Sequence, residues 1–273
     1  MPSPLSLAIS PCPNDTFAFH ALTHGLVADA PRVTVTFADI DVLNSRAAAG
    51  LDDLVKISYA ALPWLLDSYQ LLSAGSALGR GCGPLVLTAG GGRDDLAGAR
   101  IAIPGMRTTA YLLFRLWALG HGVGDIDVLP FEKIMPAVRD GRYDAGLVIH
   151  ESRFTYPSYG LTLMADLGDW WESETGLPIP LGAIVGRRGL DGAALCAMVR
   201  ASVAAALADP RASRAYVLDH AQELDADVVN AHIGLYVNDY TLSLGDEGYE
   251  AVEVLLGRAG AAGLVPPMPA LRP

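Results

Sequence analysis

The 273-residue chain is poor in lysine, in cysteine and in positive charge. Lys56 and Lys133 are its only lysines, and 19 basic residues stand against 30 acidic ones, which gives a formal net charge of −11. Because such a chain has no basic field to gather phosphate groups, we predict no nucleic-acid partner and no anionic membrane surface as partner. The first residues show neither a basic nor an apolar secretion segment, and no run of about 18 apolar residues occurs. We therefore expect a cytoplasmic protein with no membrane span.

The three cysteines, Cys12, Cys82 and Cys196, are widely separated and form no Cys-x-x-Cys pair. This pattern excludes both a disulfide framework and a zinc knuckle. Cys12 lies between two prolines and we expect no clear base near it, so we predict a rigid wall and not a reactive thiol. His20 and His24 have helical spacing but lack a third ligand and a catalytic glutamate, so we predict no metal site.

A content of 51% hydrophobic and 18% charged residues is typical of a folded globular protein. Short apolar runs alternate with helical stretches, which predicts parallel sheets covered by helices. The alternation forms two series, so we expect two α/β lobes with a central cleft. The first lobe comprises residues 1–90 and 186–273, with the helices after residue 191 packed back on it, and the second comprises residues 91–185. The predicted strands are Leu5–Ser10, Val33–Phe37, Leu54–Ser58, Gln70–Ser73, Leu85–Thr88, Arg100–Pro104, Ile126–Leu129, Asp144–Ile149, Leu161–Asp166 and Leu181–Val185.

His150 is the most informative of the polar residues that follow these strands. In α/β sheets, ligands bind beyond the carboxyl ends of the strands, and His150 ends the apolar run 145–149. An imidazole at such a position can titrate near neutrality and act as a general base, with Glu151 or Ser152 orienting its second nitrogen. The alternative is a histidine that only caps the following helix.

Two further strand ends carry candidate ligand groups, each with a structural alternative. Thr108 and Thr109 open a helix, so their N–H groups and hydroxyls would face an anion, unless Thr108 is an ordinary helix N-cap. Lys56 and Ser58 share one face of a strand while Ile57 takes the other. The alternative for Lys56 is an edge-strand lysine that extends its ammonium group into water, with Ser58 capping the next helix.

Asn14 and Asn44 are additional candidates because they follow the first and second predicted strands. Asn14 belongs to a proline-stiffened turn with Asp15 and Thr16. The structural interpretation of that turn is that one of these three residues caps the next helix. The tryptophan pair at 170–171 is expected to pack between the lobes.

Several motifs occur together and in order along the chain. They are Ser10-Pro-Cys-Pro-Asn-Asp-Thr-Phe17, Lys56-Ile-Ser-Tyr-Ala60, Pro104-Gly105 with Thr108-Thr-Ala110, Gly146-Leu-Val-Ile-His-Glu-Ser-Arg-Phe-Thr-Tyr156, Trp170-Trp171 and Gly176-Leu-Pro-Ile-Pro-Leu-Gly182. This set closely resembles the 1,4-dihydroxy-6-naphthoate synthase family of the futalosine route to menaquinone, over roughly residues 5–190.

The resemblance implies a type II fold like that of the periplasmic binding proteins, with two α/β lobes that close over a cleft. It also implies a lyase that converts cyclic dehypoxanthinyl futalosine, a small-molecule carboxylate, to 1,4-dihydroxy-6-naphthoate without metal or organic cofactor. By the family pattern His150 is the proton acceptor, while Lys56, Ile57 and Ser58 with Thr108 and Thr109 line the substrate site. The oligomeric state is not implied.

Two other functions fit the same fold and stay open at this point. One is a solute-binding protein that delivers a small carboxylate to a transporter. The other is the sister enzyme of the same pathway, a chorismate dehydratase. An imidazole at the cleft speaks against simple binding, for which arginine is the usual partner of a carboxylate.

Overall fold

A computed structural model describes residues 3–90, 95–150, 152–221 and 225–272 as an α/β structure with two sheets. The strands are β1 (Leu5–Ile9), β2 (Val33–Phe37), β3 (Leu54–Ser58), β4 (Tyr69–Leu71), β5 (Ala77–Gly79), β6 (Leu85–Ala89), β7 (Ile101–Ile103), β8 (Ile126–Val128), β9 (Ala145–Val148), β10 (Leu161–Asp166) and β11 (Ile179–Arg187). The helices are α1 (Pro13–Thr23), α2 (Ile40–Ala48), α3 (Thr109–Trp117), α4 (Phe131–Arg139), α5 (Ser152–Thr155), α6 (Leu167–Thr175), α7 (Gly192–Ala208), α8 (Arg214–His220), α9 (Ala226–Tyr236), α10 (Asp239–Leu242) and α11 (Gly245–Ala261). Two 3₁₀ turns cover Tyr59–Trp64 and Tyr156–Tyr159. The predicted two-lobed α/β fold class is confirmed.

The first sheet has the order β2-β1-β3-β11-β4, and β5 also pairs with β11. Strands β1, β2 and β3 are parallel, so their carboxyl ends meet at one edge of the sheet. All five residues of β3 are buried, which agrees with its central position. The segments that follow β1 and β3 therefore emerge side by side.

The second sheet has the order β10-β6-β9-β7-β8. Strands β7, β8 and β9 are parallel, and the four residues of β9 are buried. The carboxyl end of β9 leads directly to His150, and the end of β7 leads to the segment before α3. Both sheets thus place a pair of parallel strand ends where the sequence predicted the ligand groups.

The prediction of wholly parallel sheets is wrong. Strand β11 is antiparallel to β3, β4 and β5, and strand β6 is antiparallel to β9 and β10. These are the strands by which the chain enters the second sheet and returns to the first. A strand that arrives from the other sheet needs no helical crossover, so nothing forces it to run parallel to its neighbours. The short strand β5 is also absent from the predicted set.

The positions of β6 and β11 bear on the predicted lobe boundaries. Strand β6 belongs to the second sheet although it precedes residue 91, and most of β11 precedes residue 186 although it belongs to the first sheet. Taking each sheet as the centre of one lobe, we propose that the chain changes lobe between residues 79 and 85 and again between residues 166 and 179.

Helices α7, α8 and α9 pack against α1, the helix that follows β1 of the first sheet. Helix α7 lies against α1, where the buried Ser202 hydroxyl donates to the Ala18 carbonyl over 2.8 Å and accepts from the Leu22 N–H over 3.1 Å. Trp171 is fully buried and donates its indole N–H to the Pro178 carbonyl over 3.0 Å. No helix in the described ranges is long and apolar enough to cross a membrane.

Candidate active site

Two adjoining cavities lie where the strand ends of the two sheets face each other. The inner cavity is lined from the first sheet by Ser10 and Ser58 and from the second by Thr108 and His150. It encloses about 670 Å³ of space free of protein atoms, counting the open space at its mouth. The outer cavity is lined by the segment 39–42, by Phe131 and again by His150. His150 therefore stands between the two cavities.

His150 combines partial exposure with an unusual backbone conformation. Its φ of 54° lies in the left-handed region, which costs roughly 1–2 kcal/mol for a residue with a Cβ. Among the described residues other than glycine, Asp29 alone shares a positive φ. A strained backbone that turns a half-buried imidazole into a cleft is a common feature of functional sites. The His150 backbone carbonyl also accepts from the Arg153 N–H over 3.3 Å at the start of α5, so the helix-capping alternative and a side chain that lines both cavities occur together.

Two groups outside the predicted pair lie against the imidazole of His150. Cys12 Sγ lies 3.6 Å from His150 Nδ1, and the Phe131 ring meets the imidazole edge-on at 5.4 Å between ring centroids. Of the two predicted orienting residues, Glu151 lies outside the described residues and Ser152 is buried at the start of α5. The prediction that no clear base lies near Cys12 is wrong, because the imidazole of His150 lies against its sulfur, and the contact escaped sequence reasoning since the two residues are 138 positions apart.

Thr108 and Thr109 both line the inner cavity, but their hydroxyl protons are already used. The Thr108 hydroxyl donates to the Gly105 carbonyl over 2.8 Å and caps α3 by accepting from the Tyr111 N–H over 3.1 Å. The Thr109 hydroxyl donates to the Leu181 carbonyl over 2.7 Å. The expectation that these hydroxyls face an anion is thus wrong. The first N–H groups of a helix have no intrahelical partner, so α3 offers backbone N–H groups to a ligand instead.

Ser58 reaches the inner cavity, whereas Ile57 and Asn44 do not line it. Asn44 is buried beside Ser58, where its Oδ1 accepts from the Ser58 N–H over 2.8 Å and its Nδ2 donates to the Ser58 hydroxyl oxygen over 3.1 Å. Asn44 thus positions Ser58, and the Ser58 proton is left for a ligand. Ile57 is fully buried because alternation along β3 turns its side chain to the opposite face. Neither side chain lines the inner cavity, and a contact of either residue with the substrate stays a prediction.

Lys56 is buried in the central strand β3 and is not an edge-strand lysine. Its ammonium group lies 2.9 Å from Asp15 Oδ1 and 3.3 Å from the Gly75 carbonyl oxygen. The other carboxylate oxygen of Asp15 accepts from the Ser10 hydroxyl over 2.8 Å. Since the charge of Lys56 is matched inside the protein, this lysine is not a free cation for a substrate carboxylate.

Asn14 and His232 continue this buried network. Asn14 Nδ2 donates to Asp15 Oδ1 over 3.0 Å, so Asn14 Oδ1 is the acceptor for His232 Nε2 at 3.0 Å. His232 is fully buried in α9, and its ring stacks near that of His150 at 6.2 Å between centroids. Burial, and secondarily the nearby His150, lowers the pKa of His232 to about 3. His232 is therefore neutral at physiological pH.

Sequence reasoning missed Asp15, His232 and the role of Ser10. A helix-capping role was considered for Asp15, but α1 begins at Pro13 with Cys12 as its N-cap residue. A lysine inside an apolar strand signals a buried carboxylate partner, and the adjacent motif contains one. His232 gives no such signal, because a single histidine in a helical tail resembles any other.

A pH dependence of stability follows from the buried, neutral His232. In the unfolded chain its pKa returns to about 6.5, so the unfolded state binds a proton below that pH while the folded state does not. The free energy of unfolding therefore falls as the pH drops below about 6.5, by about 1.4 kcal/mol per pH unit for this group. Urea unfolding at pH 7.5 and at pH 5 measures how far the free energy of unfolding falls between the two. We expect this fall to be about 1–2 kcal/mol smaller in His232→Gln than in the unsubstituted protein. Equal losses in the two proteins would contradict this.

The inner cavity is nearly free of uncompensated charge. Of the described residues that line it, Asp15 and Lys56 form one ion pair, and the others that can carry charge are His150 and His232. Within the described ranges no cluster of three or more histidine, cysteine or acidic side chains has the geometry to hold a metal ion. The site thus consists of a positioned imidazole, a helix N-terminus and neutral donors.

The comparisons with known proteins match nearly the whole length of the chain. A family profile described as menaquinone biosynthesis matches residues 5–261. A Streptomyces coelicolor protein named 1,4-dihydroxy-6-naphthoate synthase is 59% identical over 268 residues, which are 96% of this chain and 95% of that protein. A Thermus thermophilus protein of the same name is 48% identical and covers 97% of each chain.

The solved structures agree with the fold. A crystal structure from Archaeoglobus fulgidus is 36% identical and superimposes with a TM-score of 0.89, covering 96% of this chain and 98% of that one. The periplasmic aliphatic sulphonate binding protein of Escherichia coli is 14% identical with a TM-score of 0.68, and covers 100% of this chain and 91% of that one. The second likeness shows the fold alone, which is that of the periplasmic binding proteins. The chain therefore belongs to the menaquinone biosynthesis family, and it is a lyase.

Proposed function

We propose that the protein converts cyclic dehypoxanthinyl futalosine to 1,4-dihydroxy-6-naphthoate, with His150 as the general base. The observation that carries this proposal is the half-buried imidazole of His150, which faces both cavities from a strained backbone position. Its support from outside the structure is the similarity to two synthases over 268 residues.

The neutral character of the inner cavity suits the carboxylate of this substrate. The N-terminus of α3 offers backbone N–H groups and the positive end of a helix dipole, and Ser58 offers a hydroxyl proton. An isolated arginine is absent from the described lining of the cavity, so these groups are the candidates to hold the acid. The outer cavity gives room on the other side of His150 for the sugar-derived part.

The proposed reaction needs few protein groups beyond this arrangement. His150 accepts the proton whose loss allows the carbon–carbon bond to the sugar-derived part to break, and formation of an aromatic ring drives the reaction. A positioned base contributes about 10²–10⁴-fold to the rate. Closure of the two lobes around the substrate supplies orientation and excludes water. We propose that this reaction takes place in the cytoplasm.

The test is to incubate the purified protein with cyclic dehypoxanthinyl futalosine and to follow the naphthoate by absorbance and mass spectrometry. We expect product at catalytic, not stoichiometric, amounts. Chorismate is the second substrate to offer: its dehydration without naphthoate formation would assign the sister activity. No product from either compound, with tight binding of an unrelated small carboxylate, would identify a solute-binding protein.

A further inference from the structure

The contact between Cys12 and His150 brings together a thiol and an imidazole from opposite sides of the cleft. Cys12 follows β1 of the first sheet, and His150 follows β9 of the second. The sulfur lies 3.6 Å from His150 Nδ1, and Cys12 is only partly buried, on the wall of the outer cavity. The proposed reaction uses the imidazole and assigns no role to the thiol.

Two features of the position of Cys12 are typical of nucleophilic cysteines. Cys12 is the N-cap residue of the 11-residue helix α1 and so lies at the positive end of the helix dipole, although its sulfur takes no capping hydrogen bond. The imidazole of His150 can take up the thiol proton and then stands as a cation beside the sulfur. Helix N-termini and neighbouring histidines are the environments that make cysteines nucleophilic. The flanking Pro11 and Pro13 restrict the backbone around Cys12.

We propose that Cys12 and His150 form a thiol–imidazole pair that makes Cys12 a site of selective modification by soft alkylating electrophiles. In the reaction with iodoacetamide, His150 takes the thiol proton while the sulfur attacks the methylene carbon. A carbon–sulfur bond forms, the carbon–iodine bond breaks and iodide leaves with the bonding electrons. The imidazolium then returns its proton to water. The attached carboxamidomethyl group extends into the outer cavity beside the base.

The other two cysteines provide internal controls in the same chain. Cys82 is buried, and burial raises its pKa to about 12, so it remains a thiol at neutral pH. Cys196 is partly buried like Cys12, but its sulfur lies 3.0 Å from the Ser73 hydroxyl and 3.6 Å from the Arg200 guanidinium, so it has a cation beside it that cannot take up its proton. Asp39 and Asp41 line the outer cavity and repel anionic reagents, so the uncharged iodoacetamide is the appropriate probe.

The experiment measures the alkylation rate of each cysteine at pH 7 by peptide mass spectrometry, in the full chain and in His150→Asn. We expect Cys12 to react about tenfold or more faster than Cys196, and this advantage to be lost in His150→Asn while the Cys196 rate stays the same. An unchanged Cys196 rate also shows that the variant is folded. Cys12 reacting no faster than Cys196, or reacting equally fast without His150, would overturn the pair.

A second measurement connects the pair to the proposed function, on which it rests. Naphthoate formation is followed as Cys12 is progressively labelled, and we expect the loss of turnover to equal the labelled fraction of Cys12. Full labelling with full turnover would show that the attached group does not obstruct the site, and would overturn this part. A protein that forms no naphthoate before labelling would refute the proposed function and leave the alkylation rates as the test of the pair.

Discussion

Replacement of His150 by asparagine is expected to lower kcat by about 10²–10⁴-fold and to leave KM within a few-fold of its original value. The loss follows from the removal of the base, since asparagine cannot take up a proton. Asparagine tolerates a positive φ better than most residues with a side chain, so the backbone at 54° needs no rearrangement. Steady-state kinetics of naphthoate formation measure the effect.

The matched control for this variant is His121→Asn. His121 is exposed and does not line either cavity, so the same substitution there removes an imidazole without touching the site. We expect His121→Asn to retain the original kcat. The role of His150 as base is refuted if the purified His150→Asn variant turns over substrate within a few-fold of the His121→Asn rate.

The variant His150→Gly removes the imidazole and, with it, the backbone strain at residue 150. Glycine adopts positive φ without strain, so the folded state loses the penalty that histidine carries there. Under the proposed function this strain is tolerated because the base must point into the cleft, and the position of His150 at the end of β9 is then a compromise between stability and activity.

Much of the site was accessible from the sequence because parallel strands end at a common edge. The apolar runs before Ser58, Thr108 and His150 are strands β3, β7 and β9, and the polar residues that follow them meet at the inner cavity. Chain order alone predicts this convergence once the strands are recognised. The periodicity of two along β3 likewise predicts that Lys56 and Ser58 share a face.

The partners of these residues could not be predicted in the same way. The Cys12 contact to His150 and the Asn14 contact to His232 join segments 138 and 218 residues apart, across elements whose relative placement no local pattern specifies. The antiparallel direction of β6 and β11 could not be predicted for a related reason. Their direction depends on where the chain changes sheets, and hydrophobic periodicity carries no information about direction.

The ion pair of Lys56 and Asp15 leads to the second large expected effect, which concerns stability. Replacing Lys56 by methionine keeps the volume of the buried stem but leaves the Asp15 carboxylate with neutral donors only, the Ser10 and Asn14 groups. Breaking a buried pair from one side costs about 3–5 kcal/mol, because an uncompensated charge stays in the interior. We expect the free energy of unfolding of Lys56→Met, measured by urea unfolding, to be lower by that amount.

The double variant Lys56→Met with Asp15→Asn tests whether the loss comes from the stranded charge. An asparagine at 15 still offers an oxygen to the Ser10 hydroxyl and needs no cation, so we expect the double variant to be more stable than Lys56→Met alone. The control is Arg100→Met, which removes the partner of Asp144 at an exposed position and is expected to cost less than about 1 kcal/mol. A Lys56→Met variant no less stable than Arg100→Met would mean that the carboxylate finds compensation elsewhere, for instance by taking up a proton. That result would show that the ion pair with Asp15 does not account for the buried position of Lys56. A role of Lys56 in the inner cavity would then have to account for it.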